Sequence, residues 1–528
     1  MPLKLARLPP AWTIAAALAV VYLILAPASP DLSAATYRSD LFSRVGFTLW
    51  DNSWYGGHHL PAYSLLAPAL GALIGPRLIV AISTIVATAL FVAAIDGWFP
   101  PRATRIAGAW FALGASIAML SSRVPYDLGF AIGLGAVLAA RRRRPVLALA
   151  LSVLTALASP VAGAFLALAF LAWTLAGPRR ARPAALTVAA LAPIALLALL
   201  FPEGGTQPFA ASAFYPALAG VLVILALVER EQRTLRIGLA LYALALTGSY
   251  FLASAVGGNV DRLGALTAGP VAALALTCAS RRRRLALLAL APLLLYWQAN
   301  APVADFVSTR NNPSVNASFY TPLIGELRTL GIGYGARPAR IEVATTADHW
   351  DARFLAPHVM IARGWERQLD VYRDKLFYEE SAPLTAARYH AWLSQNAISY
   401  VALPDAPLDY SSVAEARLLT STRPAYLREV WRSARWRLFA VLGASTLAQA
   451  PAVLRSASTD SLTVSAPRPG SYTVRVHFTP YWELAGGNGC VSRAPGDWTE
   501  LQARRQGTFR IVIGFSLARV FAHGPRCD

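Results

Sequence analysis

Between Asp31 and Pro61 the chain carries a dense set of groups capable of chemistry: Tyr37-Arg38-Ser39-Asp40-Leu41-Phe42, then Leu49-Trp50-Asp51-Asn52-Ser53-Trp54-Tyr55-Gly56-Gly57-His58-His59-Leu60-Pro61. Asp40 is a lone carboxylate that could act as general base toward an attacking hydroxyl; the alternative is a solvated or helix-capping side chain. Asp51 could help to bind a divalent cation, although Asp51-Asn52-Ser53 is also a good turn sequence. His58 and His59 are adjacent, so on a helix or strand they point in different directions and do not form a two-histidine metal site by themselves. One of them could contact a phosphate or a sugar hydroxyl, against a structural role. Trp54 and Tyr55, with Trp50, offer either a stacking surface or a membrane-interface aromatic belt.

Two further short loops hold charged partners. Arg123, Tyr126 and Asp127 form one group, and Asn259, Asp261 and Arg262 the other. Arginine in such a loop can grip an anionic phosphate through bidentate contacts, while the plainer reading is a loop-end ion pair. Elsewhere, Gly331-Ile332-Gly333-Tyr334-Gly335 lacks the strand-to-helix context of a nucleotide loop. Gly129 and Gly133 have a small-residue spacing that suits helix packing. Arg363-Gly364-Trp365-Glu366-Arg367 and Tyr481-Trp482 could face carbohydrate or pack internally.

These residues need elements to hold them, and composition says which kind. Of 528 residues, 56% are hydrophobic and only 14% charged, which excludes a purely soluble globular protein. A net charge of +20 would suggest nucleic acid if it formed a patch on a soluble domain. Here the arginines fall in short clusters between apolar segments, the positive-inside pattern, so a lipid bilayer and not nucleic acid is the expected partner.

A helix needs roughly 20 apolar residues to cross about 30 Å of hydrocarbon. About eleven segments approach that length or can be supported by neighbours: 11–29, 77–97, 104–121, 126–140, 145–158, 161–176, 184–201, 213–228, 237–256, 263–280 and 285–300. Ser159-Pro160 is either a kink within one helix or a turn between two. Lys4 and Arg7 put the N-terminus in the cytoplasm, and alternation then places every arginine cluster there: Arg102 and Arg105, Arg141 to Arg144, Arg179 to Arg182, Arg230 to Arg236, and Arg281 to Arg284. The first loop and everything after about Asn300 fall outside. The first segment also has the outline of a signal peptide, but an uncleaved anchor keeps a helix leading into the 31–61 loop. Residues 60–75 suit an interfacial helix.

The expected fold is therefore a polytopic α-helical membrane protein (1–300, with a first outer loop at 30–76) carrying an extracytoplasmic region. That region divides into an α/β part (301–445) and a β-sandwich (446–528). The first has helical patterns at 320–330 and 386–395 with strands at 341–344 and 399–403; the second alternates at 461–464, 472–478 and 509–513. Cys278 suits packing in an apolar segment. Cys490 and Cys527 lie where disulfides persist, free or bridged. No Cys/His spacing resembles a zinc site.

An acidic residue just beyond the first helix, about ten more spans and a soluble outer region resemble the GT-C superfamily of membrane glycosyltransferases. Members commonly carry paired acids in this loop, where Ser39-Asp40-Leu41 supplies one. The blocks Trp54-Tyr55-Gly56-Gly57-His58, Asn259-Val260-Asp261-Arg262-Leu263-Gly264 and Gly364-Trp365-Glu366-Arg367-Gln368 are similar to a group of polytopic membrane proteins of high-GC Gram-positive bacteria. The resemblance implies transfer of a sugar from a polyprenyl-phosphate donor to a cell-envelope glycan or glycolipid on the outer membrane face. Asp40 is then the base, with Arg123 or Arg262 near the donor phosphate. Asp51, Trp54, Tyr55, His58, His59, Asn259 and Asp261 complete the expected substrate-binding set; no metal ligand is assigned, and a divalent cation stays open. The rival expectation is a non-catalytic transporter or scaffold binding envelope lipid or polysaccharide. Ionisable residues at mid-bilayer cost roughly 2.5–3.5 kcal/mol each and are kept for function. The segments are nearly free of them, which disfavours an ion-coupled transporter and leaves a scaffold open.

Overall fold

The computed structural model describes residues 9–277, 280–335, 337–379, 381–516 and 527; Lys4, Arg7 and Cys278 lie outside them. The chain divides into a helical unit (Met1–Arg44, Ala62–Ala198, Gly204–Arg310) and a second unit (Val45–Pro61, Leu199–Glu203, Asn311–Asp528).

The helical unit is built from α1 (Ala11–Leu25), α2 (Pro30–Val45), α3 (Ala67–Ile74), α4 (Pro76–Ile95), α5 (Pro101–Ala118), α6 (Val124–Arg141) and α7 (Pro145–Ala158). It continues with α8 (Pro160–Ala176), α9 (Ala181–Leu200), α10 (Ala211–Leu227), α11 (Arg233–Phe251), α12 (Asp261–Thr277) and α13 (Arg281–Thr309). Each apolar segment read from the sequence is a separate helix. Among the described residues, by length and apolarity alone, six are long enough to cross a membrane: α4, α5 with its 3-10 extension to Ser121, α6, α9, α11 and α13. α1 and α2 pass only as a pair bent by 77°, and α7, α8 and α10 are apolar but shorter.

Proline sets many of the starts. Pro76, Pro101, Pro125, Pro145 and Pro160 each occupy the first or second position of their helix, where the missing N–H has no intrahelical partner to lose. Ser159-Pro160 is a junction between two helices: Ser159 is extended and its side chain accepts from Ala162 N at the start of α8. Small residues then let helices approach closely. A Cβ at Gly129 on α6 would lie 2.9 Å from the Cβ atoms of Ser159 and Ala162. Phe91 and Phe111 stack at 4.4 Å between α4 and α5.

Two local findings differ from the sequence reading. The first half of the expected 31–61 loop is α2, whose buried Leu32, Ala35, Arg38 and Leu41 recur at helical spacing. The interfacial helix expected over 60–75 is shorter, confined to α3.

The second unit opens with a hairpin, β1 (Trp50–Asp51) and β2 (His58–His59), in which Trp50 faces His59 and Asp51 faces His58. An α/β part follows: β3 (Arg340–Val343), β4 (Met360–Ile361), β5 (Ile398–Pro404), β6 (Leu427–Arg432) and β7 (Trp436–Val441), in the order β4-β3-β5-β7-β6. The first three strands in that order run parallel; β7 and β6 are antiparallel. The helical pattern at 386–395 is a helix over Ala386–Gln395.

The last part has β8 (Val453–Ala457), β9 (Ser461–Ala466), β10 (Gly470–His477), β11 (Trp482–Gly486), β12 (Gly489–Ala494), β13 (Trp498–Ala503) and β14 (Gly507–Ile513). They form sheets β10-β13-β12 and β11-β14-β9-β8. Leu462 and Val464, Val474 and Val476, Leu501, Phe509 and Ile511 share one core, as alternating inner faces of a sandwich do. A disulfide joins Cys490 to Cys527.

Candidate functional site

Within the helical unit, three helix starts meet. Asp31 lies in the first turn of α2, Arg123 immediately precedes α6, and Arg262 is the second residue of α12. Arg123 Nε lies 3.4 Å and Arg262 Nη2 3.9 Å from Asp31 Oδ2. The three side chains are 23–30% exposed, so they remain reachable. Helix N-termini carry unpaired N–H groups and a positive dipole end, and three of them beside two arginines make a setting that favours an anion.

The surroundings are ordered by further contacts. Asp261 Oδ1 accepts from Trp297 Nε1 at 3.0 Å, and Asp305 Oδ2 accepts from Ser121 Oγ at 2.5 Å. The Arg262 guanidinium lies 5.7 Å from the Tyr126 ring centre. Burial works against charge on Arg123, but Asp31, Asp305 and Asp127 outweigh it and raise its pKa. Arg38, seven residues after Asp31 and so on the same face of α2, lies 3.9 Å over Tyr63, a ring that also acts on Arg262. Asn259 sits in the 3-10 turn Gly257–Val260 that leads into α12.

Asp40 is placed differently from the expectation. It is nine residues beyond Asp31, a rotation of about 900° that turns it to the opposite face of α2, and it is exposed. Asp31, which the sequence reading used only as a loop boundary, is the acid that meets the arginines. Its signal was available: an acid in the first turn directly after the first apolar helix.

The remaining expected residues belong to the second unit, and all five are buried there. Asp51 Oδ1 accepts from Ser53 N at 2.9 Å, which is the turn role. Trp54 donates Nε1–H to Ala352 O at 3.1 Å and stacks on His58 at 5.6 Å. The Tyr55 hydroxyl accepts from Glu366 N at 2.9 Å. His59 Nδ1 lies 2.6 Å from Glu203 Oε1 and Nε2 2.9 Å from Thr479 Oγ1, while Arg373 Nη2 lies 2.9 Å from Glu203 Oε2. In this structure the aromatic and histidine side chains fasten the hairpin into a folded interior. The two histidines do point apart, one toward Trp54 and one toward Glu203.

Two stability predictions follow from this anchoring. A Cβ at Gly364 would lie 2.5 Å from the Trp54 ring, so Gly364→Ala should cost about 1–3 kcal/mol, read as a lower melting temperature of the full chain in detergent. An unchanged melting temperature would show that the Trp54 contact is loose. The second concerns pH. Burial alone would raise the Glu203 carboxyl, but Arg373 and His59 reverse the sign and hold it at about 2, below its ordinary 4.5. Burial, aided by Arg373, brings His477 from 6.5 to about 4. Both groups therefore stabilise the fold above their unfolded values and lose that contribution as pH falls through their folded ones. Glu415, raised by burial to about 7, acts oppositely, losing stability as pH rises from about 4.5 through 7. Below about pH 4.5, Glu203 keeps its slope and Glu415 has none. Glu203→Gln should lower the melting temperature at pH 7 and flatten its decline between pH 4.5 and 2.5; an equally steep decline would remove Glu203 from the acid response.

No protein-family model matches the sequence, and no curated protein matches it. Among solved structures, the chain is similar to the mycobacterial arabinofuranosyltransferase AftD, with 17% identity over 83% of this chain and 42% of that one, at a TM-score of 0.43. A second AftD structure gives 16% identity and 0.42. It is also similar to the oligosaccharyltransferase of Archaeoglobus fulgidus, with 15% identity over 75% of this chain and 68% of that one, at 0.45. Both proteins belong to the GT-C superfamily. The chain spans about two fifths of the length of the AftD chains.

Proposed function

We propose that the chain is a GT-C-like glycosyltransferase of the cell membrane that takes a sugar from a polyprenyl-phosphate donor and passes it to a hydroxyl of an envelope glycan or glycolipid. The single observation that carries the reading is the position of Asp31 between Arg123 and Arg262 at three helix starts. Without donor, the carboxylate occupies the arginines. A donor phosphate would compete for them through charge-assisted, bidentate contacts and release Asp31 to act as base. Asp31 then takes the proton of the acceptor hydroxyl, the hydroxyl oxygen bonds to the anomeric carbon, and the bond from that carbon to the phosphate oxygen breaks. The polyprenyl phosphate leaves carrying the electron pair. Arg123, Arg262 and the helix N-termini stabilise that charge, so no proton donor is required. Among the described residues no three His, Cys, Asp or Glu side chains are gathered to hold a metal ion, and no step of the proposed reaction runs through one.

The same reading puts this site at the outer membrane face. Arg123 precedes α6 and Arg141 ends it, 18 helical residues or roughly 27 Å later, so the site and the arginine cluster lie at opposite ends of one span. If the cluster is cytoplasmic, as the positive-inside pattern requires, Asp31 faces outward. A cysteine placed at the exposed Asp40 should then react with a membrane-impermeant maleimide in intact cells. Labelling only after permeabilisation would invert the topology.

Function is tested by supplying radiolabelled polyprenyl-phosphate sugars and envelope glycan acceptors to membranes containing the chain. Transfer that Asp31→Asn removes supports the reading. Donor binding without transfer by the unaltered chain would make it a scaffold.

A further inference from the structure

β3 carries Glu342 into the interior of the α/β part, where the side chain is fully buried and, among the described residues, neither carboxylate oxygen accepts a hydrogen bond. The groups around it come from four other stretches of chain. Arg363 follows β4, Asp370 lies on the helix Arg367–Arg373 with Asp374 directly after it, Tyr389 and Trp392 lie on the helix Ala386–Gln395, and Glu415 lies on the helix Val413–Arg417. Four carboxyl groups and one guanidinium share this space.

The one cation is already committed. Arg363 grips Asp370 in a fork, with Nε–Oδ1 at 3.2 Å and Nη2–Oδ2 at 3.1 Å, and Tyr378 donates its hydroxyl to the same carboxylate. Glu342 and Glu415 stand off at 3.6 Å and 4.0 Å from Arg363 Nη1, beyond hydrogen-bonding reach. Tyr389 donates to Glu415 Oε1 at 2.5 Å, Ser412 faces the same carboxyl, and Trp392 Nε1 donates to Asp374 Oδ1 at 3.0 Å. Phe377 closes over the Arg363 guanidinium at 4.2 Å.

A carboxylate withdrawn from water without its own cation is costly, and two that share a site resist ionising together. Burial, then the charge of Glu415, raises Glu342 well above its ordinary 4.5; Asp374 and Asp370 push it the same way, and Arg363 opposes them. Burial likewise raises Glu415 to about 7, against Arg363, Tyr389 and Ser412. The folded cluster therefore keeps protons that an open one would release.

We propose that Glu342 and Glu415 form a proton-dependent latch: while they hold their protons, segments 363–379 and 409–417 stay closed over β3, and ionisation of both opens those segments. The contacts of the two segments give the latch its consequence. Arg363 donates to Ser411 Oγ at 2.6 Å and to Ser412 Oγ at 3.2 Å, which ties one segment to the other across the cluster. Arg373 donates to Tyr55 O at 3.1 Å and Gly57 O at 2.5 Å, so the first segment also anchors the β1–β2 hairpin. Opening the latch loosens that anchor. Because the closed form binds more protons than the open one, closure is favoured at low pH and is lost as pH rises from about 4.5 through 7 and beyond. Above about pH 6.5 neither Glu203 nor His477 adds a slope of its own. This inference does not rest on the transfer chemistry.

The test is hydrogen exchange of the purified full chain in detergent, read by mass spectrometry as protection factors between about pH 6.5 and 8.5, so that the intrinsic rise of exchange with pH is divided out. Protection across 363–379 and 409–417 should fall by up to roughly tenfold per pH unit for each proton released, while β9 and β14 keep theirs. Glu342→Gln and Glu415→Gln each replace a carboxyl with a neutral group of the same shape. Each should reduce the pH dependence, and the double variant should abolish it. Glu415→Gln retains an oxygen for the Tyr389 hydrogen bond, so it tests the latch even where Glu342→Gln fails to fold. Protection in 363–379 that is independent of pH, an equal loss in β9 and β14, or an undiminished loss in Glu415→Gln would each overturn it.

Discussion

Asp31→Asn should reduce sugar transfer by roughly 100- to 10,000-fold, the range by which a positioned general base accelerates a reaction. Asparagine keeps an oxygen that can accept from Arg123, and Asp31 is part-exposed, so the variant should fold and reach the membrane. The loss should appear in kcat. Removing one negative charge from beside two arginines leaves donor affinity equal or improved, an outcome that a purely structural ion pair would not give. Asp40→Asn provides the contrast: on the exposed, opposite face of α2 it should retain transfer. Loss of transfer in Asp40→Asn with normal activity in Asp31→Asn would return the base to Asp40.

The second large effect concerns the arginines. Arg123→Ala or Arg262→Ala should weaken donor binding by roughly 10- to 150-fold, the equivalent of about 1.5–3 kcal/mol for a hydrogen bond to a charged group. Lysine at either position should recover only part of this, because a point charge does not reproduce the bidentate fork. Arg123 also balances Asp31, Asp127 and Asp305, so its removal should be the more damaging in stability. The check is a donor titration of each variant at fixed acceptor, with melting temperature measured alongside. Unchanged donor KM in both alanine variants would rule out these arginines as the phosphate grip.

Periodicity made much of the fold legible. The apolar segments appear as helices, and the strand over 461–464 extends only to β9 at Ser461–Ala466, because alternation with buried Leu462 and Val464 is a local signal. α2 was not legible for the opposite reason. Thr36, Arg38, Ser39, Asp40 and Ser43 give it the composition of a loop, yet Leu32, Ala35 and Leu41 are buried along it. The packing of the hairpin was hidden by non-locality. Trp54 and Tyr55, with Trp50, have the composition of an interface belt and His59 that of a phosphate or sugar contact, while the partners of Trp54, Tyr55 and His59, which are Ala352, Glu366 and Thr479, lie about 300 to 420 positions away in sequence. Arg123 and Arg262 were readable as loop-end cations. Their convergence on Asp31 depends on three helix starts that no sequence spacing reveals.

The central claim, that Arg123 and Arg262 exchange Asp31 for a donor phosphate, is tested most directly by an experimental structure of the full chain with a non-hydrolysable polyprenyl-phosphate sugar. The account predicts the phosphate within hydrogen-bonding distance of both guanidinium groups, with the anomeric carbon turned toward Asp31 and the Asp31–Arg123 contact opened. A donor phosphate seated elsewhere, with Asp31 still paired to Arg123, would contradict it.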